Sequence, residues 1–479
     1  MFFLNKEQLQ ERAKSLVQLP KYFQPVIEEY FGDENGEGEA IFTWSDEQQE
    51  EGISVTLDLA GNLISLSVEL NRTDSNTDFL NASELEAQAR AFLDRHYPHA
   101  LQNLTLYETK KLTTAYRFYY EQIVMDLPLP HAGCFIDVEP GGEIVNFKYY
   151  GIQPKPIIPK SMIEKEKLID HVQNRMDFQM TIANLNPELH DIDEGGLHLV
   201  YDVDLFMEYQ TDTVEPTLTI VHEEDIPSKY SSLPTPTDQV KKESSIEVSI
   251  GITEDMEVIR EVDLGGETGI VWRSKEWKLD ETDLSMNSFL QRHNEDTVKA
   301  FISKKTGKVR SFMWFKERSG DLCLNRENCY QIAIDFIQMI ALDDYRFLQL
   351  IVNENDDELD EDKMNEVFTF QVHNGQGIRI YLERVRVSVN RQTGLIDYYS
   401  GPSFDFEKLK SIPSEPVITQ NKAHEIFLSS LDFELAWSKS YEEDNGEYYM
   451  LVYQACERDK RKAIRYIDAL TGAVITEKG

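Results

Sequence analysis

The chain has 479 residues, more than one ordinary core takes up, so several domains are expected. Its 48 basic residues against 86 acidic ones leave a formal charge of −38, which argues against a phosphate-reading nucleic-acid protein and against an anionic membrane surface. Hydrophobic residues at 41% and aromatics at 11% exclude global disorder.

Met1-Phe2-Phe3-Leu4 runs at once into Asn5-Lys6-Glu7-Gln8, with no basic region, apolar run or small-residue cleavage site. No stretch approaches the roughly 20 apolar residues that a bilayer requires. The expected address is therefore the cytoplasm, with no membrane insertion. Asn5 and Gln8 read as a capping box, with Leu4 stapled onto Leu9. A hairpin follows Trp44, at Val55–Leu66, where period-two alternation turns at Gly61. Ser83 and Glu86 read as the capping box of a helix over Ser83–Tyr97, with Leu85, Ala89, Phe92 and His96 on one face. An aromatic strand, Tyr116–Ile123, leads to a second hairpin, Phe135–Phe147, with Gly142 at its turn. A further capping box at Ser161–Glu164 opens a helix to about Met176, and Leu197–Phe206 reads as a strand. Ile226–Glu243 is rich in Pro and Ser and reads as a linker.

The pattern then begins again. Trp272 precedes a hairpin at Val298–Phe312 with Gly307 at its turn. The spacing predicts a helix over Arg326–Leu342, with Cys329, Ile332, Ala333, Phe336 and Ile340 on one face. An aromatic strand, Val367–Val372, and a hairpin, Val387–Tyr398, follow, with Gly394 at the turn. A helix over Thr419–Leu431, a strand at Tyr448–Cys456 and a last hairpin, Ile464–Ile475 with Gly472, complete the series. The simplest account is a tandem duplication of a three-module half. Each module is one helix over a small antiparallel sheet, which makes the chain α+β. The expected modules are 1–71, 72–155, a degenerate 156–230, 240–318, 319–405 and 406–479.

The carrying residues of a resemblance are Val387-Ser388-Val389-Asn390 with Thr393-Gly394-Leu395-Ile396, and Tyr466-Ile467-Asp468 with Thr471-Gly472-Ala473-Val474. Phe135–Ile144 is a looser version, and Trp44 and Trp272 stand before the first hairpin of each half. These features resemble PepSY-like propeptide modules and, more closely, the YcdB/YcdC repeat family of spore-forming bacteria. The resemblance spans about Ser15 to Val474 and implies tandem PepSY-like modules with no catalytic residues. PepSY-type modules are associated with inhibiting or chaperoning secreted peptidases. This chain departs from that setting in its N-terminus and in carrying four cysteines.

The residues themselves offer little chemistry. His96 and His99 flank Pro98 and read as a helix end rather than metal ligands. His424-Glu425 and His222-Glu223 lack the spacing of a zinc-peptidase helix. The acidic run Asn355–Glu366 has no central glycine to fold ligands around calcium, and reads as a solvated loop, as does His190–Gly195. Gly265–Gly269 precedes a strand, so it reads as a turn and not a phosphate cradle. Cys134, Cys323, Cys329 and Cys456 match no zinc or redox spacing and read as buried reduced thiols. Alternate members of Tyr116, Phe118, Tyr119 and Tyr120, and of Tyr398 and Tyr399, are expected to face the core. The expectation is a non-enzymatic protein that binds an unknown protein or peptide partner, with no cofactor, metal or catalytic residue. Two other readings compete with it: a hydrolase sited between modules, and a spore-associated structural protein.

Overall fold

The computed structural model describes residues 3–32, 38–71, 79–173, 176–204, 208–217, 229–236, 246–278, 283–352, 363–442 and 446–478. The N-terminal half contains α1 (Lys6–Leu16), β1 (Gln24–Gly32), β2 (Gly38–Ser45), β3 (Gly52–Asp58) and β4 (Leu63–Glu69). It continues with α2 (Ala82–His96), β5 (Thr105–Lys111), β6 (Tyr116–Val124), β7 (Leu127–Val138) and β8 (Ile144–Gly151). All eight strands share one antiparallel sheet, in the order β1-β2-β3-β4-β8-β7-β6-β5. The two helix-and-sheet units expected here are thus joined edge to edge through β4 and β8. That pairing removes two exposed ladders at once. Leu9 and Ala13 of α1, and Leu85, Ala89 and Leu93 of α2, bury against Phe42, Val55, Phe118 and Phe147 of the sheet.

The connecting region holds α3 (Lys165–Gln173), β9 (Asp177–Leu185), β10 (Gly196–Asp204), β11 (Glu208–Gln210) and β12 (Lys229–Ser232). The second half follows with α4 (Ile246–Ile250), β13 (Met256–Asp263), β14 (Glu267–Ser274), α5 (Met286–Asn294), β15 (Thr297–Ser303) and β16 (Val309–Trp314). Then come α6 (Arg326–Ala341), β17 (Leu348–Val352), β18 (Asn365–His373), β19 (Arg379–Asn390) and β20 (Ile396–Ser400). Pairing runs β13-β14-β15-β16-β20-β19-β18-β17, the order of the first half repeated strand for strand. The details repeat too. Trp44 pairs with Ile53 on β3, and Trp272 with Val298 on β15; both rings are buried. β1 is bulged between Pro25 and Ile27, and β13 between Val258 and Arg260. His131 in β7 and Leu382 in β19 sit at the same register, with φ of 54° and 57°. The two halves are copies of one α+β unit.

The chain ends with α7 (Gln420–Ser430), β21 (Leu431–Glu442), β22 (Gly446–Glu457), β23 (Ile464–Asp468) and β24 (Val474–Thr476). Here the arrangement differs from separate third modules. β9 and β10 from the middle of the chain pair on to β23 and β24, giving one composite run β9-β10-β23-β24. An isolated hairpin is marginal in water, and two of them side by side share a buried face. β21 and β22 take β11 as a third strand.

Local signals explain most boundaries, with four differences. The α2 cap is Asn81, not Ser83: its side chain accepts the amides of Ser83 and Glu84, and Glu84 returns to the Asn81 amide. Asparagine caps as well as serine, so the box simply begins two residues earlier. α3 begins at Lys165 and not at Ser161, because Ile163 is held by Thr211 and by the Tyr453 hydroxyl in an extended path. Within the expected linker, Lys229–Ser232 forms β12, since β17 offers an open edge to pair with. Residues 226–228 and 237–243 of that linker lie outside the described residues, as do 355–362 of the acidic run, His222 and Phe206. Cys323 is exposed, whereas the other three cysteines are buried.

Candidate interaction surface and cleft

The five repeated hairpins have a common mechanical basis. Asp58, Asn390 and Asp468 each turn a carboxyl or amide oxygen onto two following backbone amides. The turn glycines Gly61, Gly142, Gly307, Gly394 and Gly472 all adopt positive φ. A side chain at Gly61 would run into Leu4, and one at Gly472 into Ile426, so these tips lie directly beneath the covering helices. Four of these tips are therefore packed structure, and the Gly307 tip alone among the five opens to space.

The sheet edges are more open. β1 is capped by the second half. Glu28 N–H donates to Leu284 C=O at 2.8 Å, and Met286 N–H donates to Glu29 Oε2 at 2.8 Å. Arg292 Nη2 donates to Val26 C=O at 3.1 Å, and His293 Nε2 lies 2.8 Å from Gln49 Oε1. A segment inserted between β14 and β15 thus closes the outer edge of the first sheet. Sequence reasoning missed this contact. The signal was present as length: the spacer from Trp272 to Val298 is longer than the one from Trp44 to Ile53. The opposite edge, β5, is almost wholly exposed and carries Glu108, Lys110 and Lys111.

Glu434, Gln454, Cys456, Arg461, Lys462 and Glu477 line an open cleft of about 310 Å³ beside the β21–β22 hairpin. Burial pushes the Cys456 thiol up from its ordinary range, so it stays protonated near neutrality and is a poor nucleophile. Arg461 Nη1 lies 3.8 Å from Cys456 Sγ and pairs with Asp432, which Lys165 also approaches at 3.6 Å. Burial works to raise the Asp432 pKa, but the Phe433 amide, Lys165 and Arg461 together hold it below the usual carboxylate value. Arg465 pairs with Glu477 at the rim. Arg461 and Lys165 thus brace the β21 start at Asp432, and Arg465 holds Glu477 against β23.

The other residues singled out in the sequence lie apart from this cleft. His96 ends α2, its ring tilted against Phe92 with centroids 4.4 Å apart, and His99 sits beyond it at φ 78°. Burial, then Arg12 and Arg95, lower the His96 pKa to about 4. His190 pairs with Glu477 as an isolated bridge, and Asp191 pairs with Lys460. Gly265 and Gly266 form the β13–β14 turn, braced by Asp263 Oδ1. Phe118, Tyr120 and Tyr399 face the core. Cys134 is pushed up to about 12 by burial. Among the described residues, no group of three or more His, Cys, Asp or Glu side chains is placed to hold a metal ion. Nor is any described helix long and apolar enough to cross a membrane.

Comparison with known proteins follows the same division. The domain described as "YcdB, YcdC repeated domain" matches residues 6–151 and 239–403, which are the two eight-stranded halves. YcdB of Bacillus subtilis (strain 168) is 31% identical over 479 residues, 98% of each chain. YcdC of the same organism is 28% identical over 458 residues, 94% of this chain and 96% of its own. Among solved structures, the Bacillus megaterium YpeB C-terminal domain aligns with 13% identity and a TM-score of 0.27, over 44% of this chain and 95% of that domain. With both halves matched and the likeness to YcdB running nearly end to end, the chain belongs to the YcdB/YcdC repeated-domain family.

Proposed function

We propose that this chain is a non-enzymatic protein-interaction or regulatory protein that binds another polypeptide along its sheet edges. The observation that carries the reading is internal: β1 already holds a sequence-distant stretch of the same chain, Leu284 and the helix α5, through one backbone bond and the side chains of Glu29 and Arg292. The outer edge of β17 likewise takes β12, an extended segment from the connecting region, so the edges of this fold recruit polypeptide. Support also comes from the cleft, where Arg461 and Glu477 are taken up by the neighbouring Asp432 and Arg465 and where burial keeps the Cys456 thiol protonated. The proposed setting is the cytoplasm, where four free cysteines remain reduced.

The test is a capture experiment. The full chain is immobilised and exposed to a lysate of the source cell, and bound proteins are identified by mass spectrometry against a bead control. One partner, enriched reproducibly and binding the purified chain directly, is the expected result. Turnover of a generic peptidase, esterase or phosphatase substrate by the purified chain, with no captured partner, would overturn the reading.

A further inference from the structure

The two copies of the sheet differ at both outer edges: β17 carries β12 where β5 is open, and β1 is covered where β13 is not. In β1 the bulge between Pro25 and Ile27 leaves Val26 unpaired with β2, and its carbonyl takes Arg292. The matching bulge in β13 puts Ile259 where Val26 stands and Glu261 where Glu28 stands. No described residue pairs with the outer side of β13. Val258 is 54% exposed and Ile259 46%, unlike the charged open edge of the first sheet at β5. An edge of eight residues with exposed aliphatic side chains is a template for another strand.

The charge on this edge is one-sided. The stretch 254–263 carries Glu254, Asp255, Glu257, Glu261 and Asp263 against one cation of its own, Arg260, and Lys275 Nζ donates to the Glu254 carbonyl at 2.7 Å. Lys316 approaches Asp255 at 3.8 Å and Lys304 pairs with Asp263, whereas Glu257 and Glu261 have no ion pair among the described residues. We propose that β13 is a docking edge that takes an extended, basic segment of a partner polypeptide as an added strand. The covered copy shows the chemistry required. A partner carbonyl meets the amide at the Glu28/Glu261 position, and a partner cation meets the bulge carbonyl. The shape of the occupant differs between the copies. Glu29 caps the first amide of α5, but β13 has Val262 at that position, which cannot hold a helix start. An extended segment is the form that fits.

This inference rests on the protein-binding reading, and its test separates the two. The probe is a short synthetic peptide alternating lysine and valine, carrying a photoreactive phenylalanine analogue and used with the full chain. A glutamate–valine peptide, and a lysine–valine peptide interrupted by proline, are the controls. The expected result is binding of the basic extended peptide alone, with cross-links inside 254–263. The double variant Glu257→Lys/Glu261→Lys, at exposed positions, should weaken it by about tenfold or more. Glu261→Pro, which removes the outward amide, should do the same; if that variant misfolds, the lysine pair carries the test. Cross-links elsewhere, or unchanged affinity in a lysine variant that keeps the wild-type melting temperature, would overturn the β13 assignment. A lysate partner that binds the lysine variant as tightly as wild type would sink β13 and leave protein binding standing. Peptide seated on β13 with no cellular partner captured would do the reverse.

Discussion

Asp468 explains why the recurring spacing to glycine is so legible. Its Oδ1 accepts the amides of Leu470 and Thr471 and the Thr471 hydroxyl, so a single acceptor organises the turn. Gly472 then closes it at φ 76°, with Ile426 Cδ1 2.9 Å from where a Cβ would stand. Gly472→Ala should therefore cost about 2–3 kcal/mol, a backbone penalty of roughly 1–2 kcal/mol plus the clash. Gly307→Ala is the control: φ is 66° with nothing within 4 Å, so only the backbone share applies. Urea midpoints at unchanged slope separate the two. His96 gives a pH signature. Half-buried beside Arg12 and Arg95, it is held near 4 from an ordinary 6.5. As pH falls from 6.5 toward 4 the unfolded chain binds a proton there and the folded chain does not, so stability drops across that window. Allowing for solvent at the partly exposed ring, the loss is about 1–2 kcal/mol. His96→Gln should remove that slope while the rest of the acid profile stays; an identical profile in both proteins would refute the argument. The turn residues were readable because their signal is local. The environment of His96 was not, since Arg12 comes from a helix far away in sequence.

Elements were legible where a periodic face and a cap coincide, as in α1 with Asn5 and α7 with Thr419. They were less so where two caps compete, as at Asn81 and Ser83, or where tertiary bonds override a good local start, as at Ile163. α5 lay beyond local reading altogether. It is short, and its purpose shows only when β1 is placed beside it. Arg292→Ala should remove the bond to the Val26 carbonyl and loosen the whole segment. The direct reporter is the Glu28 amide, bonded to Leu284 C=O at 2.8 Å. Hydrogen exchange at 24–32 should speed up by about tenfold, matching a loss of roughly 1–1.5 kcal/mol for a charge-assisted hydrogen bond. Exchange in β3 and β4 should not change. Equal protection at β1 in variant and wild type would mean that the inserted segment does not hold the edge.

At the scale of the molecule, duplication was readable from recurring motifs, and the strand orders repeat it. What could not be read is how the copies and the remaining strands are tied together, because β9-β10-β23-β24 joins segments distant in sequence and no periodicity encodes a partner. One contact concentrates the tie. Trp437 and Leu451 of the β21–β22 hairpin bury against Leu129 and Ala132 of β7, in the other half. The Trp437 indole donates to Val124 C=O at 3.0 Å, and the Tyr449 hydroxyl donates to Pro130 C=O at 2.9 Å. Trp437→Ala should remove about 3–5 kcal/mol of packing at this junction. The first sheet keeps its own core of Phe42, Phe118 and Phe147, so the loss should fall on the coupling and not on either fold. Calorimetry should then resolve two transitions where the wild type shows more nearly one, with the β21–β22 hairpin melting first. Trp437→Phe keeps much of the apolar contact and loses the donor, and should lie between. A single transition, merely shifted downward in both variants, would show that the halves are coupled through the β1 contact instead.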